Sequence, residues 1–228
     1  MHRWTLAVAL LVLTSCGGGG GASAPTSPTP PTTTTTPPAN RVPTVSATAS
    51  PAFGIHGLTT FTMTATANDS DGDALTYSWT VGDGSSATGA SFTRVFTQGG
   101  SFSPTVSVND GRGGSASAST STIIVGSMTG TWRGTGPAAL GTFSFTLSQD
   151  SGGRITGTYF DSTFGAGQLD PASTTNRIDA QSAIEMRVKQ GPFTDFTFRA
   201  QMDQTGRRIT GGVFGSGFGG QPITLTKD

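Results

Sequence analysis

The chain has 228 residues, of which 34 are Gly, 40 Thr and 25 Ser, and only 11% are charged. Gly and Thr are poor helix formers, and Lys and Glu, which are good ones, total three, so the composition excludes a helical protein. Thirteen acids balance thirteen bases, which leaves no electrostatic footprint for nucleic acid.

Residues 1–15 have the parts of an export signal: Arg3 as a basic head, an apolar run from Trp4 to Leu13, and small residues before Cys16. Ten apolar-rich positions fall short of the roughly 20 that a bilayer core demands, so the run is a signal and not a membrane span. Its end, Leu13-Thr14-Ser15-Cys16, resembles the lipobox of bacterial lipoproteins, in which the Cys carries the lipid on its sulfur. Cys16 is the only Cys of the chain, so it has no intramolecular disulfide to form. A cleaved secretory signal followed by an incidental Cys is the alternative. The resemblance implies a cell-envelope protein held to the membrane by its lipid, and Gly17 after the Cys implies the outer membrane of a Gram-negative cell. Residues 16–42 read as the lipidated Cys and a disordered tether, Gly-rich over Gly17–Gly21 and Pro/Thr-rich over Pro25–Pro38, with no apolar pattern to bury.

From Pro43 the pattern changes to period two, the mark of half-buried strands. Phe61, Met63, Ala65 and Ala67 alternate with Thr62, Thr64 and Thr66, and Leu75, Tyr77, Trp79 and Val81 alternate with Thr76, Ser78 and Thr80. Asn68-Asp69-Ser70-Asp71-Gly72-Asp73, Gly82-Asp83-Gly84 and Asn109-Asp110-Gly111 are turn sequences. Short strands at this spacing predict a small sandwich over residues 43–125. The run Asp69 to Gly84, followed by Phe96-Thr97 and Val106 to Gly111, resembles a PKD domain. That family is an immunoglobulin-like sandwich with a buried Trp on its third strand, which implies core roles for Trp79 and Tyr77. Pro104 predicts a bulge or an unpaired position in its strand, because proline cannot donate to a ladder.

Residues 127–228 open with Gly130-Thr131-Trp132-Arg133 and contain an internal repeat. Phe143 to Asp150, a turn, and Arg154 to Phe160 form one hairpin; Phe196 to Asp203, a turn, and Arg208 to Phe214 form the second. If the repeat is structural, Arg154, Arg207 and Arg208 lie at one end of the domain. Seven to nine consecutive antiparallel strands predict a small meander barrel, because closure removes sheet edges. The Gly-x-Trp opening is faintly similar to that of lipocalin-like barrels, with Trp132 read as a packed structural residue. The fold class is therefore all-β, a PKD-type sandwich followed by a barrel.

The inventory for catalysis is small. Past the signal there is one His, His56, and one Glu, Glu185; no Gly-x-Ser-x-Gly elbow accompanies the His, and no Cys/His cluster exists for zinc. Asp161, Asp170, Asp179 and Asp195 would matter only if the fold gathered them. Asp69, Asp71 and Asp73 have the alternate spacing that lets three carboxylates face one calcium ion, though position twelve of an EF-hand counted from Asp69 is Thr80 where a Glu is required. Some PKD domains are similar in binding calcium; in others the same residues only shape a turn, and both readings stay open. The expectation is a non-catalytic, lipid-anchored protein whose partners are the membrane and an extracellular protein or polysaccharide. The alternative is a barrel that carries a small apolar ligand among its Phe side chains, since residues 127–228 hold nine Phe against five in residues 43–125.

Overall fold

The computed structural model describes residues 37–136, 138, 141–189, 195–215 and 217–228. The export signal, Cys16, Gly17 and the Thr run lie outside the described residues. Every regular element in the described residues is a strand.

The sandwich is built from β1 (Thr44–Ser50), β2 (Phe53–Ile55), β3 (Thr60–Asn68), β4 (Thr76–Thr80), β5 (Ser86–Thr88), β6 (Ser91–Val95), β7 (Gly100–Phe102), β8 (Thr105–Asn109), β9 (Ser115–Ser119) and β10 (Ile123–Gly126). They form three sheets, β1-β3-β6, β5-β4-β8-β9 and β2-β10-β7. Period-two alternation sends Phe61, Met63, Trp79, Val106 and Val108 inward, all buried, and Ser or Thr outward. The chain around Asp69 begins its contacts before Pro43: Asn40 Nδ2 donates to Asp110 Oδ2 at 2.8 Å and Arg41 N to Asp71 Oδ2 at 2.7 Å. Pro104 falls between β7 and β8, which belong to different sheets. The missing N–H thus sits where the chain changes sheets, and the Pro104 carbonyl still accepts from Thr120 N at 2.9 Å.

The barrel strands are β11 (Gly130–Thr135), β12 (Thr142–Gln149), β13 (Ile155–Asp161), β14 (Gly165–Leu169), β15 (Arg177–Ile178), β16 (Ala183–Lys189), β17 (Phe196–Met202), β18 (Arg208–Gly215) and β19 (Phe218–Lys227). Antiparallel neighbours run β14-β13-β12-β11-β19-β18-β17-β16, and the pairs Gln168↔Lys189 and Leu169↔Val188 close the ring at eight strands. Short β15 shares the edge of β16 with β14. In this ring β12 and β17 run in the same direction, so the Asp150–Arg154 and Asp203–Arg208 turns sit at the same end, the end next to the sandwich. Five rings fill the interior: Phe145 lies 5.0 Å from Tyr159 and 4.9 Å from Phe198, and Phe196 lies 5.3 Å from Phe198 and 5.4 Å from Tyr159, with Phe143 beside them.

One segment of the sandwich belongs to the barrel core. Ile55 is fully buried among the barrel side chains, and Phe53 and Leu58 pack against them. β2 is fixed in parallel against β10, and the loop after it is tied back by His56 N to Gly126 O at 3.0 Å and Gly57 N to Phe96 O at 2.8 Å. The fit leaves no space at two glycines. Gly57, at φ +76°, lies where a Cβ would come within 2.6 Å of Ser151 backbone in the β12–β13 turn. A Cβ on Gly126 would stand 2.7 Å from Met202 Sδ and 3.1 Å from Phe53.

Truncating Ile55 to Ala should cost about 2–5 kcal/mol, the usual range for emptying such a site. Hydrogen exchange should quicken in β12 and β17 as well as in β3. Acceleration confined to the sandwich strands would show that the barrel end does not depend on this segment.

Candidate functional site

The Asp69–Asp73 turn joins β3 to β4. Asp69 Oδ1 accepts from Asp71 N at 2.8 Å and Asp73 N at 3.2 Å, and Gly72 holds the left-handed φ of +77° that the reversal needs. This geometry turns three side chains toward one another: one carboxylate oxygen from each of Asp69, Asp71 and Asp73 lies within 4.8 Å of the others. Two cations flank the group, Arg41 at 3.7 Å from Asp71 Oδ1 and Arg112 at 2.8 Å from Asp73 Oδ1. Asp69 Oδ2 and Asp73 Oδ2 remain buried with no hydrogen-bond partner among the described residues. Leaving buried acceptors unmet is costly. A hard cation taking oxygen ligands would meet that need, its remaining ligands coming from carbonyls or water. Turn shaping and cation binding are thus compatible, because they use different oxygens of Asp69.

The carboxylates of the barrel are not gathered in this way. Asp170 and Asp195 share Arg187, at 4.0 and 2.9 Å, and Asp170 also meets Lys189 at 3.2 Å. Asp179 Oδ1 accepts from Gln181 N and Ala183 N, and Asp161 Oδ1 from Thr163 N. Glu185 pairs with Arg199 directly across the β16–β17 ladder at 3.1 Å. Among the described residues, only the Asp69 loop gathers three potential metal ligands.

Trp79 is fully buried and donates from Nε1 to Gly89 O at 3.0 Å, with Phe92 edge-on at 5.3 Å. Tyr77, two residues earlier on the same face, is only partly buried at the margin of that core, because it lies toward the end of β4. Trp132 is fully buried in the barrel; its Nε1 donates to Met128 O at 2.8 Å, and Lys227 Nζ stands 5.4 Å from its ring centre. The five-ring cluster occupies the interior at its own level, which leaves the Phe side chains as filling. The Tyr159 hydroxyl is buried inside this cluster beside Asp161, and burial first and the Asp161 charge second push it above the ordinary phenol range.

Two residues gain importance only in three dimensions. Phe160 is 54% exposed on the outer barrel face. Its position was readable, since Ile155, Tyr159 and Asp161 share the inward parity and Phe160 breaks the polar run of the other. His56, a lone residue in the sequence, lies at the sandwich–barrel junction at 6% exposure, with neither ring nitrogen hydrogen-bonded among the described residues. Gln149 Nε2 reaches its carbonyl at 3.3 Å. Burial holds His56 below the usual imidazole range; the Lys227 charge acts in the same direction and Asp150 opposes it. Lys227 is itself lowered by burial and by Arg207, and its Nζ donates to Ser127 O at 2.8 Å.

With the geometry established, comparison with known proteins bears on one segment of the chain. Residues 40–125 match the family model of the PKD domain, which covers the sandwich and reaches back to Asn40. No curated protein matches the sequence. A solved structure titled "Structural basis for the promiscuous specificity of the carbohydrate-binding modules from the beta-sandwich super family" is similar at a TM-score of 0.38 and 16% identity. The likeness covers 83% of this chain and 93% of that one.

Calcium at millimolar concentration should raise the melting temperature over that in excess chelator. Mass action gives about 2.7 kcal/mol at a hundredfold excess over the dissociation constant. Asp73→Asn should abolish the rise; superimposable curves in the unsubstituted protein would leave these carboxylates only their turn role.

A second prediction concerns pH. The folded state binds the His56 proton less well than the unfolded chain, whose imidazole titrates near about 6.5. The unfolded state therefore takes up more protons below that value, and stability should fall as pH drops through it, with no such loss above it. His56→Gln should flatten the melting temperature between pH 7.5 and 5.5; an unchanged slope would place its origin elsewhere.

Proposed function

We propose that this is an exported, lipid-anchored protein of the bacterial cell envelope, whose PKD-type sandwich and barrel act as a non-catalytic binding and spacing module for an extracellular polysaccharide or protein. The observation that carries the anchor is the Leu13-Thr14-Ser15-Cys16 end of the signal run, which places the sole Cys at the lipidation position. The tether that follows has 26 residues from Gly17 to Val42.

The absence of catalysis rests on how the titratable groups are used. The ring nitrogens of His56 are enclosed, and Glu185 is paired with Arg199. The barrel aspartates described above accept turn amides or sit in ion pairs, so each is already engaged by neighbouring protein groups.

Cys16→Ser should move the protein from the membrane fraction to the soluble one and remove label from a fed radioactive fatty acid. Retention in membranes with unaltered labelling would refute the anchor. The lipidated protein should also show no turnover of generic ester, peptide and glycoside substrates.

A further inference from the structure

The outer face of the barrel across β19, β11, β12 and β13 holds a hollow of about 560 Å³. Pairing register puts Thr226, Arg133, Ser144 and Phe160 side by side across the four strands, with Thr224, Thr135 and Thr142 in the next row. The floor is short hydroxyl side chains and the two walls are long ones, which is what makes a convex barrel concave here. Neighbouring strands lie about 4.8 Å apart, so Arg133 and Phe160, two strands apart, are separated by roughly 10 Å.

We propose that this hollow is a binding site for one or two units of a neutral polysaccharide, with Phe160 as the stacking platform. The inference rests on the binding-module reading above and names its ligand class and its place. Three features of the hollow select the ligand. Phe160, 54% exposed, is the most exposed aromatic ring among the described residues. A flat apolar face of this kind suits the C–H face of a sugar ring, whose hydrogens meet the negative face of the aryl quadrupole. The hydroxyls of Thr135, Thr142, Ser144 and Thr224 make no hydrogen bond to protein among the described residues, so they are free to donate to and accept from ligand hydroxyls. The lining carries one cation, Arg133, and its charge is already met by Asp228, with Nε to Oδ2 at 2.8 Å. The remaining guanidinium N–H groups can donate to a ligand, but the site presents no net charge, which favours a neutral glycan over an acidic one. A docked protein would need apolar surface over the order of 1,000 Å² of interface, and a single ring does not supply it. The volume lies within the range of about 300–1,000 Å³ typical of small-ligand sites.

The test is affinity electrophoresis of the full chain through native gels containing a neutral β-glucan, xylan or starch, and through gels containing polygalacturonate. At least one neutral polymer should retard the protein and polygalacturonate should not. Phe160→Ala should weaken the retardation at least about tenfold, whereas Phe160→Trp preserves it; Thr142→Lys, which adds bulk and charge on the floor, should abolish it. Both positions face outward, so equal melting temperatures of the three variants check that the fold persists. Retardation that survives Phe160→Ala would overturn this site while leaving the binding-module reading in place. Retardation by polygalacturonate alone, or by none of the polymers, would overturn the neutral-glycan assignment, and the membrane fractionation of Cys16→Ser judges the envelope reading separately.

Discussion

The insertion of Ile55 into the end of the barrel is the constraint on which the rest of the structure depends. A barrel of eight strands with a filled interior still has open ends, and apolar side chains there need a cover. Here the cover is a three-residue strand and a tight loop from the sandwich, with Ile55, Phe53 and Leu58 against the barrel core. Burying them stabilises by about 25 cal/mol for each Å² of apolar surface removed from water. The geometry has consequences for what surrounds it. Gly57 and Gly206 lie where backbones of the two parts meet, Gly126 faces the side chains of Met202, Phe53 and Ile55, and His56, next to Ile55, must enter the same junction. The enclosed imidazole is therefore a by-product of the covering segment, tolerated because the neutral form can be buried at modest cost.

A second device recurs through the whole chain. An Asp at a strand end accepts from the backbone N–H two residues on, and often from a further one. Asp69, Asp110, Asp150, Asp179 and Asp203 all do this through Oδ1. Asp110 shows how far it can be elaborated, since its carboxyl is held below the usual range by Asn40 Nδ2 and by the Arg112 and Gly114 amides. Charge-assisted bonds of this kind are shorter and stronger than neutral ones. With only strands among the described residues and few charges in the sequence, they set hairpin registers and leave few carboxylates for anything else. The Asp69 loop departs from the others because two further Asp side chains enter it, and the surplus oxygens are what give it metal-ligand character.

Strand positions and faces were legible because period two is unambiguous in Thr-alternating runs such as Phe61–Ala67. The repeat at Phe143 and Phe196 was legible too, and the pairing order puts both hairpin turns at one end of the barrel. The third sheet was not readable, since β2 and β7 have three residues each and no periodicity can be read from three positions. Nor was the junction: the segment Phe53-Gly54-Ile55-His56 looks like a loop with two apolar residues, and its partners lie far along the chain in β12, β17 and β18. The calcium question follows the same logic, because spacing gives three carboxylates in reach of one another but only the fold shows which oxygens the turn has already consumed.

Charge placement ties these features together. Both outer faces of the sandwich strands β1, β3 and β6 and β4, β5, β8 and β9 carry Ser, Thr, Asn and one Val, with no charged side chain, so solubility there rests on hydroxyls. Apart from Arg94, whose inward-parity side chain on β6 pairs with Asp83, the described sandwich strands carry no charged side chain, and charge sits at turns, in the lead-in segment and on the barrel. Among the described residues, the cations without a carboxylate within 4 Å are Arg154, Arg177, Arg207, Arg208 and Lys227, and all lie at the barrel end that faces the sandwich. Arg154 and Arg177 even stand directly opposite each other, a like-charge pairing that costs stability, and each donates to a carbonyl, Pro171 and Gly152 respectively. The nearby Asp150, Asp179 and Asp203 carry their negative charge at the same end but have given their oxygens to turn amides. The turn device thus dictates the electrostatics of the junction: because Asp is spent on shaping hairpins, Arg and Lys must satisfy themselves with backbone carbonyls and water, and an imidazole buried among them is kept neutral.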